Sequence, residues 1–375
     1  MNSYCRIQTL LAIFMFITIN VLFYFKYAYR VSLPAGIISV VSYIFFVFIL
    51  FAKYGKIKTY ISDKVIFVVT GFFVIACIIT LFNIPKEVLR VDRWEMVQVF
   101  WDSVAKGLYP YTESSPISGN YPGPMPFYFV ICYPFYLLGE MGFATVTGIL
   151  IWLYYAYREY KNETFVLVAL LLFSSLALYW EIFARSTVFL NASLFALYIF
   201  SLKDIKAMGS KQFYLSAMIG GFLFSTRNVF VLALIIWGLF ALFREKIKVV
   251  KMLKWGLCFI ASFIATFIPF ILLNPSKFTE MNPFIIQSSV LMPFNHILFF
   301  VFLAFVFYFL CKKFTDVVFY SGLLLFLTIA WYMLFRLYNG GIQSYLDTEI
   351  DISYFIFCFP FLLEIIANKN DNDRQ

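Results

Sequence analysis

The sequence predicts an all-α protein, a polytopic bundle of transmembrane helices. Three observations predict it. Hydrophobic residues make up 63% of the 375-residue chain and charged residues only 13%, against about half and a quarter in a soluble domain. Mean hydropathy is +0.86. The apolar residues come in long continuous runs, and in lipid only helices and closed barrels satisfy their backbone. A barrel would instead alternate over segments of about ten residues.

The runs lie at about 8–25, 34–52, 65–83, 126–157, 164–180, 187–202, 213–226, 228–243, 252–273, 296–311, 317–335 and 352–367. Several are shorter than the roughly 20 residues of a straight span. The 126–157 run is too long for one helix, and Gly139-Glu140-Met141-Gly142 breaks it. It is counted as one crossing that includes a half-helix, giving about 12 crossings of roughly 20 residues or fewer. With both termini cytoplasmic, 19 of the 29 Lys and Arg residues fall on the inner side and 10 on the outer. Two crossings by 126–157 would put the lysine-rich 203–212 and 244–254 outside, against the positive-inside rule. The net charge of +9 thus reads as an orientation signal, and nucleic acid is not an expected partner.

The run after Arg6 is too long for a signal-peptide core and no small-residue cleavage site follows, so a retained first helix is expected. Cys5, Cys77, Cys132, Cys258, Cys311 and Cys358 form no CxxC pair, which predicts neither a disulfide framework nor a thiolate metal site. No internal repeat is visible. The chain reads as one integral-membrane domain, 1–375, with an outer loop at 84–125 and a polar, disordered tail at 368–375. Only Glu140 and Glu364 look intramembrane, both near the inner side.

Unusual polar residues gather on the outer side. In VDRWEMVQVFWDSVAKGLYPY, residues 91–111, the apolar Trp94, Val97, Phe100, Trp101 and Val104 recur at three- and four-residue spacing. That is one face of an amphipathic helix, and its aromatics suit the headgroup level. Asp92, Glu95 and Asp102 decorate its start and polar side. Asp92 has two readings, a helix N-cap or a functional carboxylate kept ionised by the flanking Arg90 and Arg93. Tyr109-Pro110-Tyr111 ends the helix. Beyond Asn120, Tyr121-Pro122-Gly123-Pro124-Met125-Pro126 forces a stiff, extended entry into the next segment, either a rigid interfacial turn or the frame of a site.

This order resembles the GT-C glycosyltransferases, particularly the polyprenyl-phosphate-mannose-dependent mannosyltransferases. These multi-pass enzymes show an Asp outside an early helix, a G-x-x-P-Y-like element and Y-P-P-L. The likeness covers residues 91–139, with a weaker echo at GGFLFSTR, residues 220–227, and at Pro269-Phe270. Gly123 stands at the second proline of Y-P-P, and three crossings precede the acid where many relatives have one.

The resemblance implies transfer of a sugar, a hexose such as mannose, from a polyprenyl-phosphate donor to a lipid-linked glycan or other acceptor. It implies Asp92 as the catalytic residue, taking the acceptor proton. Glu95, Asp102, Tyr109, Tyr111, Asn120 and Tyr121 would contact substrate. An arginine would meet the departing phosphate; Arg185, Arg227 and Arg336, all at outer helix ends, are candidates, with snorkelling the alternative for each. Membrane lipids are the surroundings and a bacterial inner membrane the expected location.

No nucleotide-binding glycine-rich loop is visible, and no cofactor is expected. Asp347, Glu349 and Asp351, two apart, read as a solvated acidic loop or as oxygen ligands for a divalent cation. His296 begins a crossing at the outer interface. Two other functions stay open. A surface-polysaccharide polymerase or ligase would use outer arginines but carries a large late outer loop. A lipid or polysaccharide transporter would need intramembrane charge pairs and broken helices.

Overall fold

The computed structural model describes residues 3–89, 91–160, 162–290, 292–347 and 349–372. It is 82% helix, with no strand among the described residues. α1 (Ser3–Tyr29), α2 (Leu33–Tyr60) and α3 (Asp63–Asn83) come first. Ser62 starts α3 by accepting a hydrogen bond from the Val65 amide. Phe45, Phe48, Phe72 and Phe82 on α2 and α3 are each at least 63% exposed. Hydrocarbon, not water, solvates such a surface.

α4 (Arg93–Ala105) forms within the 84–125 loop, over the stretch whose apolar spacing predicts it. Its apolar face is not presented to headgroups. Trp94, Val97 and Phe100 are buried in a second, smaller core with Tyr109, Tyr111 and Phe129, and the Phe100 and Phe129 rings stack at 3.7 Å. α5 (Pro126–Leu137), with Pro126 in its first turn, and α6 (Gly142–Glu159) meet at 107°. Proline there is pre-shaped for a helix start and loses no internal bond.

α7 (Asn162–Ser174) and α8 (Leu176–Phe183) bend by 57° where one straight run was expected. Ser175, extended at the break, donates to Asn20 Oδ1 at 2.8 Å instead of continuing the helix. α9 (Val188–Ser201), α10 (Ser210–Phe224), α11 (Val231–Leu239) and α12 (Val249–Ala265) follow. Short helices α13 (Ile268–Leu273), α14 (Pro275–Glu280) and α15 (Pro283–Val290) fold the next loop, and α16 (Phe294–Leu310) leads to α17 (Phe314–Leu346). A 3-10 turn, Ile352–Cys358, precedes α18 (Phe359–Asn372).

Two expected irregular stretches are helical. α17 continues through most of the predicted 336–351 loop, with a break at Gly341, because Tyr345 anchors it by donating to the Leu22 carbonyl at 2.6 Å. The predicted disordered tail is helical to Asn372, and Asn368 bonds back to the Glu364 carbonyl and carboxylate; residues 373–375 lie outside the described residues.

Among the described residues, Arg6–Tyr29, Leu33–Lys53, Asp63–Asn83 and Phe314–Leu346 are long and apolar enough to cross a bilayer. The two bent pairs raise the number to six. The chain is a membrane-embedded helical protein. Polar contacts join its helix ends in two sets. One includes Gln8–Asp316 at 2.9 Å and Tyr160–Glu364 at 2.6 Å. The other includes Lys26–Ile350 at 2.8 Å, Thr145–Ser186 at 2.8 Å and Ser225–Thr266 at 2.7 Å.

Candidate functional site

Asp92 sits at the start of α4 with helical backbone angles, φ −81° and ψ −1°, and its side chain makes no capping bond. The capping reading of this residue is therefore overturned. Its carboxylate turns to the loop that follows the helix. Ser118 Oγ donates to Asp92 Oδ2 at 2.5 Å and Asn120 Nδ2 to the same oxygen at 2.9 Å. Glu95, three residues on and so on the same side of the helix, accepts from Ser115 Oγ and from the Ile117 amide. Ser115 is 2% exposed. The 115–120 loop closes on itself through Ser115 N to Asn120 O at 2.8 Å. Gly119 holds the turn at φ +70°, where a side chain would be strained.

Arg93 points the other way, into the bundle. Its Nη1 donates to Glu181 Oε1 at 2.8 Å and to Ser186 Oγ at 2.9 Å. Its Nη2 donates to both oxygens of Asp351, at 2.7 and 2.6 Å. One guanidinium thus ties α4 to the α8–α9 corner and to the segment ahead of α18. Lys26 backs this hub, donating to the Ile350 carbonyl and lying 5.5 Å over the Tyr345 ring. Burial opposes charge on Arg93, but Asp351 and Glu181 outweigh it and hold the guanidinium protonated. Burial likewise disfavours the Asp351 carboxylate, yet Arg93 and Lys26 keep its pKa below the usual value. Arg93 is therefore engaged with these acids and is not turned to Asp92, as was expected; Arg90 lies outside the described residues.

Arg227 is half-buried, its guanidinium 5.1 Å over the Tyr128 ring. Tyr354 feels the charges of Asp351, Arg227, Arg93 and Asp92, which gathers these groups around one phenol. Its neighbour Tyr332, 6.2 Å away, has Arg336 over its ring at 5.8 Å. Asp92, with Asn120 bonded to it, and Arg227 thus lie around Tyr354, and Arg336 lies on the neighbouring Tyr332 ring.

The other expected site residues lie outside this cluster, several of them in internal contacts. Arg185 is 1% exposed and holds φ +51°, a left-handed conformation costing a non-glycine about 1–3 kcal/mol. It pairs with Glu140 at 3.2 Å and donates to the carbonyls of Phe183, Leu81 and Ile84. All four bonds are internal. The pair also corrects the expected location of Glu140, which lies beside the end of α3 that enters the 84–125 loop.

Tyr109 donates to the Met281 carbonyl at 2.8 Å and Tyr111 to that of Pro124 at 3.2 Å; both are buried core residues that brace the loop. Glu95 anchors the 115–120 loop. Asp102 accepts from Tyr136 at 2.7 Å, and Tyr121 is 41% exposed. His296 packs edge-on against Trp331 and Phe335. Of the acidic stretch, Asp351 is bound by Arg93 and Asp347 accepts from Gln343. No group of three His, Cys, Asp or Glu side chains converges on a cation site among the described residues.

Sequence reasoning missed Arg93 as a hub, Ser118 and Tyr354 as neighbours, and Lys26 altogether. A lone lysine in the apolar FYFKYAYR run was a signal in plain view, since ionisable residues inside a span have partners or functions. Ser118 carried none.

Fold and site define a membrane-embedded helical protein in which Arg93, Glu181 and Asp351 form a buried ion-paired cluster beside Asp92. No protein-family model, curated protein or solved structure matches the chain.

Proposed function

We propose that the chain is a multi-pass glycosyltransferase of the GT-C type that moves a hexose, such as mannose, from a polyprenyl phosphate to an acceptor hydroxyl. The observation that carries this reading is Asp92. It is a carboxylate without a capping role, already accepting from the Ser118 hydroxyl at 2.5 Å, and its charge, like those of Arg93 and Arg227, reaches Tyr354. In the reaction the acceptor O–H bond breaks and its proton passes to Asp92. The acceptor oxygen bonds to the anomeric carbon. The bond from that carbon to the phosphate oxygen breaks, and the electron pair leaves with the lipid phosphate. Arg227, which lies over the Tyr128 ring and has no carboxylate contact among the described residues, is the arginine best suited to meet that charge.

A groove of about 430 Å³ between α1, α2 and α17, lined by Leu22, Phe25, Val41, Leu337 and Tyr345 among others, offers a seat for part of the polyprenyl tail. Tyr345 is shared between this groove and Lys26, so the groove ends near the charged hub. The shorter helices are taken as crossings too, about 12 helices of roughly 20 residues or fewer, with the site on the non-cytoplasmic face and both termini cytoplasmic. The two sets of helix-end contacts and the lysine-rich inner loops support this, and a bacterial inner membrane is the proposed setting.

The test is incubation of the purified protein with polyprenyl-phosphate hexoses and a panel of hydroxyl acceptors, with products read by mass spectrometry. Transfer dependent on the lipid carrier is expected. No consumption of any lipid-linked sugar, or turnover of nucleotide sugars without lipid, would overturn the proposal.

A further inference from the structure

The hydroxyl on Asp92 belongs to the protein itself. Ser118 carries a primary alcohol, the same functional group that an acceptor brings, and it donates to Asp92 Oδ2 at 2.5 Å. Asn120 Nδ2 occupies the remaining approach to that oxygen. We propose that the 115–120 loop is a strap in which Ser118 stands in the acceptor-hydroxyl position, so that an acceptor binds by displacing Ser118 and Asn120. This rests on the reading of Asp92 as the acceptor base.

The two halves of the loop are built differently. Ser115 is 2% exposed and bonded to Glu95, itself 8% exposed. The Ile117 amide reaches the same carboxylate at 3.1 Å. That half is an anchor. Ser118 and Asn120 are exposed, and what holds them outside the loop is the Asp92 carboxylate. Gly119, at φ +70°, lies between them. Displacement of Ser118 therefore exchanges one hydroxyl–carboxylate bond for another of the same kind and leaves the Glu95 anchor in place. Its near-neutral energy suits a gate at Oδ2: water alone meets an occupied oxygen there, whereas an acceptor that brings further contacts opens it. Ser118 then determines which hydroxyls gain access to Asp92, and it keeps water from the donor.

The test uses the full-length protein with Ser118→Ala and Ser118→Thr. With a polyprenyl-phosphate hexose as donor, Ser118→Ala should lower the acceptor KM several-fold and raise acceptor-free hydrolysis of the donor, while the donor KM stays unchanged. Ser118→Thr, which keeps the hydroxyl, should restore both values. A drop in kcat in Ser118→Ala with the acceptor KM unchanged would overturn the strap, because Ser118 would then support Asp92 rather than compete for it.

Hydrogen exchange separates this outcome from failure of the proposed activity. Asp92→Ala should speed exchange of the Asn120 amide, which is bonded to Ser118 Oγ, while the Ile117 amide stays protected by Glu95. Unchanged exchange would overturn the strap even if no lipid sugar were ever turned over. Faster exchange without any turnover would leave the strap standing as a latch and remove its catalytic meaning.

Discussion

Asp92 and Arg93 are adjacent in sequence and serve opposite purposes, and a single substitution at each separates them. Asp92→Asn keeps an oxygen that can accept from Ser118, so the variant should fold and insert as the native chain does. It cannot take a proton, and loss of a general base commonly costs about 10²–10⁴-fold in rate. Transfer measured in detergent should fall by that order, with Glu95→Gln and Asp102→Asn less damaging; full activity in Asp92→Asn would refute the assignment. Arg93→Met should instead unfold the protein more easily, by about 3–5 kcal/mol, because it strands the buried Glu181 and the partly buried Asp351 without a cation. Adding Glu181→Gln and Asp351→Asn to that variant should recover much of the loss in thermal unfolding. The hub also has a pH signature. Since Asp351 titrates below its ordinary 3.8 in the folded protein, its contribution is complete above that value and is lost as pH falls through the lower, folded one. The stability gap between the native chain and Asp351→Asn should be flat at higher pH and close only in strong acid.

At the scale of the element, α4 was legible because its pattern is local: Trp94, Val97, Phe100, Trp101 and Val104 mark one helical face wherever it packs. What covers that face was not legible, for the partners Tyr109, Phe129 and Ile286 lie in three other segments. The break between α5 and α6 was legible from Gly139 and Gly142, whereas the α7–α8 bend depends on Asn20, 155 residues away from Ser175. The GGFLFSTR stretch that echoed a family motif has a packing duty. A Cβ on Gly221 would overlap the Phe259 carbonyl and Ser262 Oγ, so α10 and α12 touch there backbone to backbone, as small residues allow in membrane helices. Gly221→Ala should force them apart at about 1–3 kcal/mol. Gly238→Ala in α11, where nothing lies within 4 Å of the added carbon, should be neutral or gain up to about 1 kcal/mol from helix propensity. Thermal unfolding of the two variants in the same detergent checks the contrast.

For the whole molecule, the proposed orientation puts residues 85–125, 274–295 and 336–351 on one face. Single cysteines introduced as Ser118→Cys, Ser276→Cys and Gln343→Cys, all exposed positions, should react with an impermeant thiol reagent from outside intact cells. Ser210→Cys, equally exposed but beside the lysine-rich 203–212 loop, should react only after the cells are opened. Reaction of Ser210→Cys in intact cells would break the scheme in its middle.

By itself the sequence determined that this is a helical membrane protein, where most helices begin and end, and that one amphipathic helix with a proline-rich sequel leaves the bundle. Those properties follow from span-length apolar runs, helical spacing and prolines, which act over a few residues. Tertiary structure alone decided which charges meet. Arg93 finds Glu181 and Asp351 at separations of 88 and 258 residues, Arg185 is consumed by Glu140 and three carbonyls while Arg227 is not, and Asp92 faces Ser118 instead of its own helix. A charged group at the end of a helix has several possible partners of equal local merit, and the choice among them is made only when the packed helices bring distant ends together.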